Sequence, residues 1–451
     1  MSARITSYDG GVVATPRRIV RPRSVEELQA ILRDTERYPG PVRPMGSFHS
    51  LTPCAATDGT LISTTGLDRI VDIDPQAMTV TAQGGVQLVD AAAALRERGL
   101  QFMLNLEIGN LTLGSAACCH TKDSLDGIEN GQASSYATRI RWVTPSGELE
   151  EASQDDAERI ALARSSYGLC GVVHEATFRI KPLEVVRFDY ELVDVRGLSQ
   201  DAVSEIIATN DSVVFWTVGR HVVVQTRNVA ARSQRAWLGR MRGRLWRGVG
   251  AVLGRAFSST AGTPLQNPID AAWPVVQRLP YRFLSMVGGF SLHAPDKMMD
   301  YRRTPPPGRY AFTFWAFPRG EWVTNLKAFL DFTDDHQRRH GFRCNLPLGS
   351  YFIRRDTSSI LSYSYDGDII SIDPIHAPSD RDRPAWERFL REFNRWAHER
   401  GGIPLLNQSP FIGRDDVAAA YGERWTRFSE WVRAQDPHGR MLNPFFAELL
   451  A

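Results

Sequence analysis

The sequence predicts an α+β fold, and three observations predict it. Residues 1–183 alternate short β-branched runs with helical patterns. Residues 184–404 set repeated strand-like runs beside two amphipathic helices, the pattern of an antiparallel sheet flanked by helices. Residues 405–451 read as helical and end in a turn-rich tail.

In the first part, "SVEELQAILRDTER" places Ser24 as an N-cap before two glutamates, with Leu28, Ile31 and Leu32 at helical spacing. "GPVRPM" is a short strand that runs into a glycine turn. "TLISTTGLDRIVDIDPQAMTVTAQGGVQL" reads as strands broken at Thr65-Gly66 and Asp74-Pro75. "VQLVDAAAALRERGL" is a helix that Gly99 ends. "ATRIRWVTPSGELEEA" is a hairpin turning at Pro145-Ser146-Gly147, and "CGVVHEATFRIKPL" is the closing strand.

In the middle part "VRFDYELVDV", "HVVVQT", "YRFLSMVGGFSL", "RYAFTFWAF" and "IISIDPIHA" read as strands. "VTNLKAFLDFTDDHQRRHG" and "AWERFLREFNRWAHERG" read as helices. From Arg227 to Arg255 there are eight arginines and no acidic residue, with Leu238, Met241, Leu245, Val249 and Val252 on one helical face. A solvated surface helix is the plain reading of this segment. Contact with an anionic membrane surface through 232–255 is the sharper one.

The charge balance, 53 basic against 51 acidic residues, gives no reason to expect a nucleic-acid partner. No run of about 18 apolar residues predicts a transmembrane segment, and the start lacks the apolar core of a secretory signal. Cys54, Cys118, Cys119, Cys170 and Cys344 are an odd number without CxxC spacing, which argues against a disulfide framework and a structural metal site. The resulting expectation is a cytoplasmic protein that holds no metal.

Three glycine-bearing stretches carry the chemistry. "VRPMGSFHS" sets Gly46, Ser47, His49 and Ser50 on one turn, where backbone N–H groups and hydroxyls can reach a phosphate. "LEIGNLTLGSAACCHTKDS" has no charge between Ile108 and His120 and is built of small residues. "SSYGLCGVV" again puts glycines before a β-branched strand. Each alone is compatible with an ordinary turn or a tightly packed backbone. Together they favour a large, flat, phosphate-bearing ligand.

The order of these stretches, with "VRPRSVEELQAIL", "RWVTPSGEL" and "GLCGVVHEATFRIKP", resembles the PCMH-type FAD-binding domain of the vanillyl-alcohol oxidase superfamily. The closest likeness is to the aldonolactone and alditol oxidases, whose C-terminal segment "GERWTRFSEWVRAQDPHGRMLNPFF" also resembles. The resemblance implies a flavin domain over 1–183 made of two α/β subdomains, a cap over 184–404, and a return to the flavin domain over 405–451. It implies FAD contacts from Arg43, Pro44, Met45, Gly46, Ser47, Phe48, His49 and Ser50. It extends them to Ile108, Gly109, Asn110, Thr112, Leu113, Gly114, Ser115, Ala116 and Cys119, and to Gly168, Gly171, Val172, Val173 and Asn443. His49 matches the histidine that is often bonded to the flavin 8α-carbon. Asn110 stands where some relatives carry a second attaching cysteine, so a single link is expected.

The substrate side departs from the resembling group. Its Glu-x-Arg pair falls, in the best register, on Ser350 and Phe352 of "GSYFIRRDTSS". Its His-Trp-Gly-Lys run falls on Leu405, Leu406, Asn407 and Gln408. Tyr351, Asn407, Gln408 and His120 are the expected catalytic residues, with Tyr363 and His376 as further candidates for a base. The sequence thus predicts an FAD-dependent oxidase that takes a hydride from a relatively apolar small molecule and passes electrons to molecular oxygen. A dehydrogenase serving a quinone or carrier, and a flavin-bound cyclase or binding protein without redox chemistry, stay open beside it.

Overall fold

The computed structural model describes residues 4–123, 131–244, 260, 263–302, 304 and 309–451. Near the start, β1 (Arg18–Val20), β2 (Val42–Met45) and β3 (Thr60–Ser63) form a parallel sheet in the order β1-β3-β2. The helix Val25–Arg33 covers it, capped by the Ser24 hydroxyl, which accepts from Glu27 N. Leu28, Ile31 and Leu32 pack on Val42, Ile62 and Leu67, as their helical spacing requires.

A second sheet joins β4 (Ile70–Asp74), β5 (Thr79–Gln83), β6 (Leu100–Phe102), β7 (Ala137–Val143), β8 (Leu149–Ser153) and β9 (Val172–Pro182). Its order is β8-β7-β9-β5-β4, with β6 on the far end of β9. The helices Leu88–Arg96 and Leu113–Cys118 bury Leu88, Ala91, Leu95, Leu113 and Ala117 against Val80, Ile140, Ala176 and Phe178. Gly99 has a φ of +69°, a left-handed conformation that ends the helix before β6.

The cap sheet has eight strands: β10 (Val185–Asp194), β11 (Ser212–Val218), β12 (His221–Ala230), β13 (Phe290–His293), β14 (Trp315–Pro318), β15 (Leu348–Ile353), β16 (Ile369–Ile372) and β17 (Ile403–Pro404). They run β13-β10-β12-β11-β15-β16-β14-β17, every pairing antiparallel. One face packs Phe215 and Phe352 on the helices Trp322–His340 and Arg383–His398 through Trp322, Leu326, Phe389 and Phe393. The other face carries Val214 and Trp216, with Tyr351 packed against them beside Tyr190 and Tyr281.

Two expectations are corrected here. "YRFLSMVGGFSL" is not one strand: the helix Gln266–Val287 runs to Val287, and only Phe290–His293 is strand. Gly288, at φ +74°, and Gly289 make the break, and a short apolar run carries no period that separates helix from strand. The arginine-rich segment is not wholly solvated either. Arg227 lies in β12, fully buried, and donates to Asp123 Oδ1 (2.8 Å) and Glu107 Oε1 (3.0 Å). Residues 236–244 are helical, while Leu245, Val249 and Val252 lie outside the described residues.

The C-terminal part returns to the first sheet. Val42 N donates to Arg440 O (2.7 Å), Leu51 N to Asn407 O (2.9 Å) and Thr52 Oγ1 to Leu406 O (2.8 Å). No helix of the described residues is long and apolar enough to cross a membrane.

Candidate active site

The first glycine turn leaves β2 and forms one wall of a cleft. Arg43, Pro44, Met45, Gly46, Ser47, Phe48, His49 and Ser50 all line it. The opposite wall is Ile108, Leu111, Thr112, Gly114, Ser115, Cys118 and Cys119, and one end is Tyr167, Gly168 and Val173. A Cβ on Gly46 would lie 2.3 Å from Thr112 Oγ1, so only glycine lets the two walls approach this closely. The three stretches that the sequence singled out therefore meet around one space.

Arg43 stitches them. Its guanidinium is fully buried and donates to Cys54 O (2.9 Å), Gly168 O (3.1 Å), Met441 O (2.9 Å) and Tyr167 O (2.5 Å). His49 is held between Asn110, whose Nδ2 donates to His49 Nε2 (2.5 Å), and the Tyr8 ring stacked at 4.5 Å. Burial, with Arg309 nearby, brings the His49 pKa down to about 4, so the imidazole is neutral at ordinary pH.

Several expected residues sit behind the walls. Gly109 N bonds Met299 O, so this glycine admits another backbone rather than a ligand, whereas Gly114 lines the cleft while its N also bonds Gly84 O (2.8 Å). A Cβ on Gly171 would fall 2.1 Å from Val143 O for the same reason. Leu113 and Ala116 belong to the core of the second sheet, and Val172 packs with Val143. Asn443 caps the helix Pro444–Leu450 through Phe446 N and donates to Pro53 O and Ala56 O. It fixes the loop below the cleft without lining it.

Beyond the cleft opens a cavity of about 440 Å³. The two share Ile108, Leu111, Thr121, Phe312 and Gln408, so they adjoin along one common wall. Leu106, Trp216, Leu238, Met241, Trp273, Tyr281, Leu284, Tyr301, Tyr351 and Ile375 make its walls largely apolar. Lys122 enters from the end of the second glycine stretch and pairs with Asp373, which follows β16. Its ammonium lies 4.6 Å from the Phe312 ring centroid and 5.0 Å from that of Tyr351. Burial lowers the Lys122 pKa against the pull of Asp373 and raises that of Asp373 to about 6. The Asp373 Oδ1 atom is buried without a hydrogen-bond partner among the described residues.

At the other end Glu107 accepts from Arg227 and from Arg242 (3.1 Å). Burial would raise the Glu107 carboxyl, but the two guanidiniums outweigh it and hold it below the usual range. These charges answer one another, whereas Lys122 faces the space beside the cleft. None of the pair Lys122–Asp373 or the Glu107–Arg227–Arg242 set was singled out from the sequence as chemical. The only signal was "HTKD", adjoining the glycine stretch.

The expected catalytic residues divide. Tyr351 lines the cavity, but burial raises its phenol well above 10, which suits a hydrogen bonder and not a base. Asn407 and Gln408 line the cleft, and Gln408 the cavity as well. His120 does not reach either space: it is fully buried, its Nδ1 on the Tyr167 hydroxyl (3.0 Å) and its Nε2 near Ser165 Oγ (3.4 Å). Burial brings its pKa down to about 3, and it is a packed core histidine. Tyr363 Oη donates to Thr121 O, and His376 is committed to Asp382 and Asn345.

The register on β15 is also corrected. Ser350 and Phe352 point to the helix-covered face, beside Phe215, while Gly349, Tyr351 and Ile353 share the face toward the cavity. Neither face carries a glutamate or an arginine on this strand.

Two descriptions of known families match this chain: an FAD binding domain over 16–153, and D-arabinono-1,4-lactone oxidase over 176–449. The chain belongs to the D-arabinono-1,4-lactone oxidase family. It is 27% identical to an L-gulono-1,4-lactone dehydrogenase of Mycobacterium tuberculosis over the whole of both chains. It is 26% identical to an alditol oxidase of a Streptomyces species, covering 48% of this chain and 51% of that one. A cholesterol oxidase from B. sterolicum has the same fold, with a TM-score of 0.75 at 15% identity over 100% of this chain and 97% of that chain.

The protein is therefore an FAD-dependent oxidoreductase of the aldonolactone oxidase type, in the vanillyl-alcohol oxidase superfamily, acting on a small molecule. The cleft fits the cofactor on its own terms. Asn407 Oδ1 and Gln408 Oε1 in its walls are buried acceptors without partners, and Ser47 and Ser115 add hydroxyls. Bound FAD supplies the hydride acceptor.

Proposed function

We propose that this chain dehydrogenates the carbinol of a cyclic hydroxy compound that carries an apolar body, with molecular oxygen as electron acceptor. Residues 1–183 and 405–451 hold the flavin in this reading, and 184–404 the substrate. One observation carries it: a largely apolar cavity of about 440 Å³, adjoining the FAD cleft, presents one cationic head, Lys122, at the junction.

The chain's own residues have separable tasks. Tyr351, Trp216, Leu238 and Met241 surround the body of the substrate and exclude water. Gln408, at the boundary of the two spaces, orients the carbinol. Lys122 passes one of its protons to the Asp373 carboxylate and takes the hydroxyl proton in its place as the carbon loses its hydride, so Asp373 ends as the carboxylic acid. In the cleft, Asn110 and Tyr8 hold a neutral His49, whose single lone pair would form the covalent bond to the flavin in place of its hydrogen bond from Asn110.

A second reading, that the substrate is an unsubstituted sugar lactone, is favoured by the family match across the cap and by the full-length likeness to the L-gulono-1,4-lactone dehydrogenase. That relative is a dehydrogenase by name, which also favours an acceptor other than oxygen. Dye-coupled turnover of L-gulono-1,4-lactone, D-arabinono-1,4-lactone and hydroxylactones of growing alkyl substitution separates the two. The cavity predicts a kcat/KM that rises about fourfold for each methylene buried. Sugar lactones turned over best, with no gain from substitution, would overturn the apolar reading and leave the family's. Replacing the dye by oxygen then decides the acceptor.

A further inference from the structure

The helix Gln266–Val287 is turned the wrong way for an ordinary surface helix. Its inward face carries Trp273 and Gln277, both donating to Asn345 O, and the buried Tyr281. Its outward stripe is Val276, Leu279, Phe283 and Met286, at spacings of three and four residues. Leu279 is 58% exposed and Met286 79% exposed. Trp237, on the neighbouring helical segment 236–244, adds another exposed apolar side chain. Val276, Leu279 and Phe283 also line the cavity, so the exposed stripe runs along its mouth.

The sequence that carries the stripe is predominantly basic. From Val229 to Pro295 the sequence holds nine arginines and a single acidic residue, Asp270. Arg232, Arg235, Arg240, Arg244 and Arg282 are exposed. A second copy of this chain would bring the same arginines against these, which opposes a self-pairing interface. An apolar stripe rimmed by cations matches the surface of an anionic bilayer, where headgroups meet the arginines and acyl chains receive the apolar side chains.

We infer that the helix Gln266–Val287 docks this protein, by Leu279, Phe283, Met286 and Trp237, onto an anionic lipid surface and sets the cavity mouth against it. The docking is peripheral. It also explains why a cavity with apolar walls should open beside exposed apolar residues, since an apolar substrate would enter from the lipid. Docking is measured without substrate, so its failure leaves the redox reading untouched.

The test is flotation of the flavin-loaded protein with vesicles at low salt. It should float with phosphatidylcholine–phosphatidylglycerol vesicles, about tenfold more strongly or better than with phosphatidylcholine alone. The double variant Trp237→Glu/Met286→Glu, at two residues outside the cavity lining, should lose about tenfold or more of that binding while keeping the flavin spectrum. Absence of flotation with the mixed vesicles, or equal flotation of the variant, overturns the proposal. So does sedimentation as a dimer that the variant dissolves, because the stripe would then be an interface between copies.

Discussion

Replacing Lys122 by methionine should slow reduction of the flavin by substrate by about 10²- to 10⁴-fold, the range a positioned proton acceptor contributes. Lys122 lines the cavity next to Thr121, which the cavity and the cleft share, and its ion-pair partner Asp373 is not part of the lining. The pH dependence gives the sign. With Asp373 raised to about 6 and Lys122 lowered, the pair holds one proton too many in acid and gains an acceptor as pH rises through about 6. The wild-type reductive rate should climb about tenfold per unit below that value and level above it. In the methionine variant Asp373 loses the cation that favours its charge, so any residual ascending limb should move to higher pH. Breaking a buried pair costs about 3–5 kcal/mol, so rates are compared where the flavin spectrum shows both proteins folded. An unchanged rate and profile would remove Lys122 from the chemistry.

Replacing His49 by alanine should move all of the flavin from pellet to supernatant after acid precipitation; colour kept in the pellet would move the link to another cleft nucleophile such as Cys118 or Cys119. Asn110 occupies the position from which a second link would come, and it hydrogen-bonds His49 instead. The low pKa of His49 favours the reaction, since a neutral ring nitrogen keeps its lone pair across the working range. The alanine protein should still bind flavin through the remaining cleft residues, and more weakly. A wild-type pellet without colour would reduce His49 to a residue of the cleft wall.

The cofactor side was legible in the sequence because its demands are local. Gly46 beside Ser47 and His49, the small residues around Gly114, and Gly168 before Val173 each mark a close approach that neighbouring letters reveal. At Gly109 and Gly171 the same signal marks approach to another backbone instead of a ligand. The substrate side was less legible for physical reasons. The partners Lys122 and Asp373 are 251 residues apart, one following the second glycine stretch and the other following β16, so only the tertiary fold brings them together. The cap strand β15 is covered on both faces, so "GSYFIRR" has no apolar–polar alternation to show which of its residues face the cavity. The helix Gln266–Val287 was less legible because apolar residues lie on both its buried and its exposed sides, so no single amphipathic stripe marks it.

Of all measurements, anaerobic mixing of the purified yellow protein with its substrate panel tests the account most directly. A hydroxylactone or cyclic alcohol that fits the cavity should bleach the oxidised flavin band in a single turnover and leave an equal amount of carbonyl product. Formation of product without bleaching, from any member of the panel, would contradict an account in which the cavity delivers a carbinol to the flavin.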